Sequence, residues 1–335
     1  NKERLGANSI LSVSFAVAKS AAESRRTPLF AYLNLLMQSV IPGTHPKMPT
    51  PLFNIINGGT HGAGNLDFQE FLVVPSTAKP YNICLEIGGN VYQAVRQVLI
   101  ERNATYSLGD EGGFAPNLYT NVDALEALTQ AVKKTQYQVG VDVFLGLDIA
   151  ASHIKTEGGY RIKDRPVALT PSEFIDYLKD LNRDYHLLIL EDPFAEDAWN
   201  EWQMLTKELR QSLLIIGDDL LFSSKSLLDR AIKDQACSAI LIKPNQVGTL
   251  SEVLQLVQRA RSGGMQVVMS HRSGETNDDI IADLSVAVGA EYAKFGAPVR
   301  GERVAKYNRL SEIFAILSQS QKPSAGPPPT QQSQQ

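Results

Sequence analysis

Six residues with reactive side chains stand directly after short apolar runs, in the order Asp148, Glu191, Asp218, Lys243, His271 and Lys294. Consecutive ones are about one strand-helix unit apart. Three acids come first, and two lysines and a histidine complete the series. Solvated strand ends would show no such sorting, so the series reads as one site assembled from successive strands. Asp148, Glu191 and Asp218 offer only oxygen donors, with neither Cys nor His beside them. Hard oxygen donors in small number suit Mg²⁺, which keeps waters and shares its shell with substrate oxygens, and they argue against zinc. Lys243 closes Ile240-Leu241-Ile242 and precedes Pro244-Asn245-Gln246. An ammonium beside a second lysine and a divalent ion is expected to have its pKa pushed down, which makes it a base. Lys294, His271, Arg272 and Ser273 offer a pocket for carboxylate and phosphate, with Arg272 able to donate bidentately.

The loops add candidates. Gly109-Asp110-Glu111-Gly112-Gly113 sets acids among glycines, so the backbone can approach a ligand closely. Gln69 and Glu70 interrupt the apolar run Phe68 to Val74, where an unpaired carboxylate would be costly. His61 follows the Gly58-Gly59 turn. Asp192 and Asp219 adjoin two of the acids and read equally well as loop caps or as partners of nearby cations. His271 taken alone could also be a satisfied core histidine.

These residues need a scaffold that brings strand ends to one place. From about residue 49 the chain alternates short apolar strands with amphipathic helices. The strand candidates are 52–56, 68–74, 143–147, 187–190, 213–216, 239–242, 266–269 and 291–293. Continuous apolar strands between helices imply an α/β fold, a mostly parallel sheet covered on both faces. Eight strands in about 270 residues match a (β/α)₈ TIM barrel, whose C-terminal mouth collects strand-end residues. A doubly wound open sheet is disfavoured, because no Gly-x-Gly-x-x-Gly turn follows a strand. Before the barrel, residues from about 5 to 37 read as helices, and Asn8 to Ala18 is apolar or small on nearly every face, which calls for neighbours on several sides. The Pro- and Gly-bearing link 41–46 marks a domain boundary, giving residues 1–44, a barrel over 45–317 and a Ser/Gln/Pro-rich tail over 318–335 that is expected to be disordered.

Composition narrows the function. The 335 residues carry 32 basic and 36 acidic side chains, a net charge of -4, which disfavours nucleic acid or an anionic membrane as partner. Two cysteines cannot build a disulfide framework, and no apolar run is long enough to span a bilayer, so a reducing, cytoplasmic compartment is the default expectation. The chain opens on Asn1-Lys2-Glu3-Arg4, straight into a helical pattern, which raises the expectation that a beginning is missing.

Taken in order, the motifs resemble the enolase family. They are Leu5-Gly6-Ala7-Asn8, Asn57-Gly58-Gly59-Thr60-His61, Gln69-Glu70-Phe71, Gly109-Asp110-Glu111-Gly112-Gly113, Leu190-Glu191-Asp192-Pro193-Phe194, Gly217-Asp218-Asp219-Leu220, Lys243 to Leu250, Ser270 to Thr276 and Gly296-Ala297-Pro298. The resemblance covers residues 1 to about 317. It implies reversible dehydration of 2-phosphoglycerate to phosphoenolpyruvate on a barrel that starts ββαα, with the second strand antiparallel. It implies Glu111 as the general acid, Lys243 as the base and Asp148, Glu191 and Asp218 as Mg²⁺ ligands. Gln69, Arg272, Ser273 and Lys294 then correspond to substrate contacts, with His61, Glu70 and His271 lining the same pocket. Such chemistry needs Lys243 neutral and Glu111 protonated, since the first must accept a proton and the second donate one.

The departures are two. The family's longer N-terminal capping domain, with a mobile Ser-Gly-Ala loop that closes the site, has no counterpart here, and residues 1–44 look like its last helices. Phe295 stands where a threonine is expected. The resemblance also implies a homodimer or larger assembly, and the chain as written is expected to be weakly active or inactive. Another acid-sugar dehydratase or racemase is disfavoured, because Gln69-Glu70-Phe71 replaces the Lys-x-Lys pair of an early strand. A non-catalytic interaction protein would have lost mouth residues, and all are present.

Overall fold

Ten strands form in the computed structural model, which describes residues 2, 4–62 and 64–320, and eight of them are short, largely apolar runs. In chain order they are β1 (Thr50–Asn57), β2 (Glu70–Pro75), β3 (Val143–Asp148), β4 (Lys155–Thr156), β5 (Gly159–Tyr160), β6 (Leu187–Glu191), β7 (Leu214–Gly217), β8 (Ala239–Ile242), β9 (Gln266–Ser270) and β10 (Tyr292–Gly296). β4 and β5 make a separate small hairpin. The other eight close into a barrel in the order β1-β10-β9-β8-β7-β6-β3-β2. β2 runs antiparallel to both of its neighbours, and the remaining pairs are parallel.

Helices α1 (Ala7–Ser24) and α2 (Leu29–Val40) precede the barrel, and α3 (Tyr81–Glu101) and α4 (Asn121–Lys133) both lie between β2 and β3. The start is therefore ββαα. Local chemistry sets the helix entries: Thr120 and Thr170 each build a reciprocal capping box, with Asp123 and Glu173. α2 is tied to the barrel's outer helices through Phe30 N–H donating to Asp283 (2.9 Å) and Asn34 donating to the Ala287 carbonyl (2.8 Å). α1 departs from the expectation of burial on several sides. Leu11, Ala18 and Ala22 are buried, but Val13 and Val17 are 65% and 63% exposed. Its neighbours lie on one side only, where Ser14 accepts the Leu250 N–H (3.0 Å) and Lys19 pairs with Asp278 (2.8 Å).

The twofold period of a strand sorts the barrel into two apolar layers and delivers the polar groups to its mouth. The interior layer contains Leu52, Leu72, Val74, Ile189, Leu214, Ile216, Ala239, Leu241, Val268 and Tyr292. Stepping on by two from these residues reaches Asn54, Glu191, Asp218, Lys243, Ser270 and Lys294. On β2 the same step runs backwards, from Val74 and Leu72 to Glu70, because that strand is reversed. The alternate residues face the enclosing helices in the second layer, which includes Ile240, Ile242, Val267, Met269 and Phe295.

Two elements were not singled out by periodicity. One is the β4/β5 hairpin. The other is the helix Gly301–Ser320, whose buried side mixes Arg303 and Lys306 with Tyr307, Leu310 and Ile313 and so lacks a clean apolar stripe. This helix reaches Ser320, and the rest of the expected tail lies outside the described residues. Among the described residues no helix is long and apolar enough to cross a membrane.

Phe295 has a packing role. It is fully buried, its ring 6.1 Å from that of Tyr307, which itself stacks 5.1 Å from Phe53. Lys294 faces the mouth, so Phe295 points away from it. Phe295→Ala is expected to cost about 3–5 kcal/mol in urea-induced unfolding. A loss below about 1 kcal/mol would contradict this placement.

Candidate active site

One rung of the barrel carries the dominant electrostatic problem. Glu70, Asp148 and Glu191 are register partners on the adjacent strands β2, β3 and β6, so three carboxylates stand side by side. All three are buried. Lys294 answers from β10: its Nζ lies 3.0 Å from Glu70 and 2.9 Å from both Asp148 and Glu191. Burial alone would lower the Lys294 pKa, but Asp148, Glu191, Glu70 and Glu111 outweigh it and hold the ammonium well above its ordinary range. One positive charge cannot neutralise the whole rung. Burial, with Asp148 next in weight, therefore raises Glu191 well above the usual carboxylate range despite Lys294. Glu70 is raised by burial and by Glu111, against Lys294 and His61.

The next carboxylates are organised by a loop. Asp192 is buried with a positive φ of 41° and accepts the N–H groups of Asp218 (2.9 Å) and Asp219 (2.8 Å). Asp192 is thus a cap that positions Asp218. Burial and then Asp218 raise its own pKa well above the ordinary value. Asp218 pairs with Lys243 through Oδ2, while its buried Oδ1 has no hydrogen-bond partner.

The protein's own groups act on Lys243 in both directions: burial and Lys294 lower its pKa, but Asp218 and Glu191 more than compensate and raise it. Ser223 supports the lysine by accepting its backbone N–H (3.0 Å) while donating to Gln246 (2.7 Å).

Glu111 sits on the opposite rim. Its loop is sewn to the end of β1 by Phe114 N–H to the Ile55 carbonyl (2.8 Å) and Asn57 N–H to the Phe114 carbonyl (2.7 Å). Gly113 permits this approach, since a Cβ there would come within 2.2 Å of Asn57 Oδ1. The Glu111 carboxylate receives Asn54 Nδ2 (3.1 Å) and Ser273 Oγ (3.0 Å), with His271 Nε2 at 3.1 Å. Burial would raise its pKa, yet His271, Lys294 and His61 outweigh burial and hold it well below the ordinary range. The mouth surrounds this carboxylate with donors, which is why its shift runs opposite to the protonated form that donation to a leaving hydroxide needs.

The remaining candidates border the same cavity, whose lining includes His61, Gln69, Glu70, Lys243, Arg272 and Lys294. His61 Nδ1 is 3.3 Å from Glu70, and its Nε2 is 3.2 Å from Ser273 Oγ. Gln69 donates to Asp148 at 3.4 Å. Arg272 is exposed at the rim and donates to Asn245 (3.2 Å). The expected metal ligands are split between two lysines, Asp148 and Glu191 being drawn to Lys294 and Asp218 to Lys243. Two sets of ligand atoms do lie within 4.8 Å of one another among the described residues, Asp192 with Asp218 and Asp219, and His61 with Glu70 and Glu111. Surplus buried negative charge, all-oxygen donors around Asp218 and an unpartnered Asp218 Oδ1 fit a hard cation. Sequence reasoning did not reach Asn54, Ser223 or Arg303: Asn54 lies inside an apolar strand, Ser223 in a turn, and Arg303 among the charges of Arg300-Gly301-Glu302-Arg303, which read as a helix surface. For Asp192 the signal was its place in Glu-Asp-Pro.

Barrel and mouth together define a (β/α)₈ protein with buried carboxylates, lysines and histidines converging at one end. Residues 45–326 match the family model described as enolase, C-terminal TIM barrel domain. The enolase of Beutenbergia cavernae is 46% identical over 313 residues, covering 93% of this chain and 71% of that protein. The enolase of Sulfurimonas denitrificans is 41% identical over 313 residues, covering 93% of this chain and 73% of its own. The chain belongs to the enolase family.

The raised carboxylates make a pH prediction. A Glu191 pKa above its ordinary 4.5 contributes stability that is full below that pH and is lost as pH rises through the folded value. Asp192 acts in the same sense. Thermal unfolding in chelator is expected to show stability falling as pH rises above about 4.5, and added Mg²⁺ to offset that fall. A pH-independent midpoint, unchanged by Mg²⁺, would contradict the charge surplus.

Proposed function

We propose that this mouth carries out the reversible dehydration of 2-phosphoglycerate to phosphoenolpyruvate, with Lys243 as base and Glu111 as acid. The observation that carries the reading is that both groups line one cavity from different elements: Lys243 ends β8, and Glu111 is held by Asn54 of β1 and by His271 and Ser273 beyond β9. A substrate seated there would give up a proton from one carbon toward Lys243 and a hydroxide from the next toward Glu111.

Removing a proton beside a carboxylate places negative charge on that carboxylate. Lys294, fixed as a cation, is poised to stabilise it without reorganisation. Arg272, Ser273, Gln69 and His61 supply the donors that would bind the phosphate and carboxylate oxygens. Asp148, Glu191 and Asp218 are the residues that would hold Mg²⁺, whose contribution when bound is to neutralise the surplus buried charge and polarise the substrate carboxylate.

A charged Lys243 can deliver a proton to carbon, and an ionised Glu111 can take one from water. Dehydration uses the same two groups with their protons exchanged, as microscopic reversibility requires. A cation drawing on Asp218 and Glu191 would weaken the two influences that raise Lys243, moving it toward the neutral form that dehydration needs.

The direct test is ultraviolet detection of phosphoenolpyruvate formed from 2-phosphoglycerate with Mg²⁺. Lys243→Ala is expected to lower kcat by about 10²–10⁴ and to abolish solvent exchange of the C2 proton. Glu111→Gln is expected to lower turnover comparably while exchange persists. Exchange at the native rate in Lys243→Ala would overturn the assignment of the base.

A further inference from the structure

Arg303 is the least expected charge in the molecule. It is the third residue of the Gly301–Ser320 helix, and it is 1% exposed. Its guanidinium makes four hydrogen bonds, all to the two loops that carry Glu111 and His271, and its Nε lies 3.8 Å from Glu302 Oε1. NH1 lies 2.6 Å from His271 Nδ1 and donates to the Arg272 carbonyl at 2.7 Å. NH2 donates to the carbonyls of Ser273 (2.6 Å) and Asp110 (3.2 Å).

The chemistry of the first contact leaves one solution. A guanidinium has donors and no acceptor, and it stays protonated. His271 Nδ1 must therefore present a lone pair, which places the hydrogen on Nε2. Nε2 is 3.1 Å from Glu111 Oε2, an acceptor, so the same tautomer satisfies both sides of the ring. The other neutral tautomer would set N–H against N–H on one side and a lone pair against a carboxylate on the other. An imidazolium would also oppose Nδ1–H to the guanidinium. We propose that Arg303 is the positioning residue of the acid site: it fixes His271 as the Nε2–H tautomer, so that the ring is an obligate donor to Glu111, and it clamps the Asp110–Glu111 turn to the 271–273 loop.

The tautomer assignment stands on the hydrogen-bond geometry, while its catalytic consequence rests on the function proposed above. With Nε2–H facing it, Glu111 keeps two acceptor sites filled by His271 and Ser273, and its carboxylate holds one orientation at the rim. Loss of the lock would let the imidazole turn its lone pair toward the carboxylate. A merely structural arginine would alter stability and leave the ring's proton where it was.

The test uses the full chain labelled with ¹⁵N-histidine and long-range ¹H–¹⁵N spectra at about pH 8, with His271→Gln identifying the signal. The expected result is a single Nε2–H tautomer for His271. A Nδ1–H tautomer, a mixture or an imidazolium in the native chain overturns the proposal. Arg303→Met is expected to give mixed tautomers and to lower kcat about 10–100-fold with KM within about threefold. Arg303→Lys, which restores a donor, is expected to recover the Nε2–H form and part of kcat. Arg303→Met retaining a pure Nε2–H form overturns the lock. Should Arg303→Met not fold, the native and Arg303→Lys spectra decide, a Nδ1–H form in either overturning it. A native chain that shows the Nε2–H tautomer but no turnover of 2-phosphoglycerate supports the lock and counts against the function.

Discussion

The structure turns on one ammonium among carboxylates. Glu70, Asp148 and Glu191 occupy one rung of three neighbouring strands, an arrangement in which like charges repel at close range. Lys294 reaches all three at 3.0 Å or less. Burying an ion pair is costly, and breaking one by removing a partner is costlier still, so the rung holds only while the lysine stays in place. The barrel supplies that constancy. β10 pairs with β1 and β9 on either side, and Phe295, one residue beyond Lys294, anchors the strand against Tyr307.

A second consequence is a charge deficit that the protein chain does not meet. Raised carboxylates at Glu70, Glu191 and Asp192 are its signature. Neutralising these groups with further lysines would fill the cavity and leave no room for substrate. A small divalent ion meets the same need and leaves ligand positions open for substrate oxygens. The backbone accepts strain on the same side: Asp192, Phe222 and Ser223 all have positive φ without being glycine, and they flank the loop that aims Asp218 and Lys243. Such conformations persist where surrounding contacts over-determine them. Here Asp192 is held by two backbone N–H groups and Ser223 by Lys243 N–H and Gln246.

Much of this was legible before any coordinates. The strand ends at Asp148, Glu191, Asp218, Lys243 and Lys294 could be read because each follows an apolar run, and a strand's alternation then decides that all face one lumen. The antiparallel second strand was implied only by family resemblance. The charge states of Lys243 and Glu111 could not be read from the sequence, because the sign of each shift depends on neighbours 25 to 183 residues away in the chain. Arg303 was missed for a related reason. Its partners lie around positions 110 and 272, and nothing in Gly301-Glu302-Arg303-Val304 marks it as other than a helix-surface charge.

By itself, then, the sequence determined which groups would meet: the periodicity of apolar runs decides the barrel, and the residue directly after each run decides what its mouth contains. Tertiary structure alone decided how those groups are charged and aimed. Closing the ring set three carboxylates against Lys294, paired Lys243 with Asp218, and brought Arg303 against the far side of His271. The division has a physical cause. Facing direction follows from local backbone geometry, which a sequence pattern encodes, whereas a protonation state or a tautomer follows from distances between side chains that only the folded chain fixes.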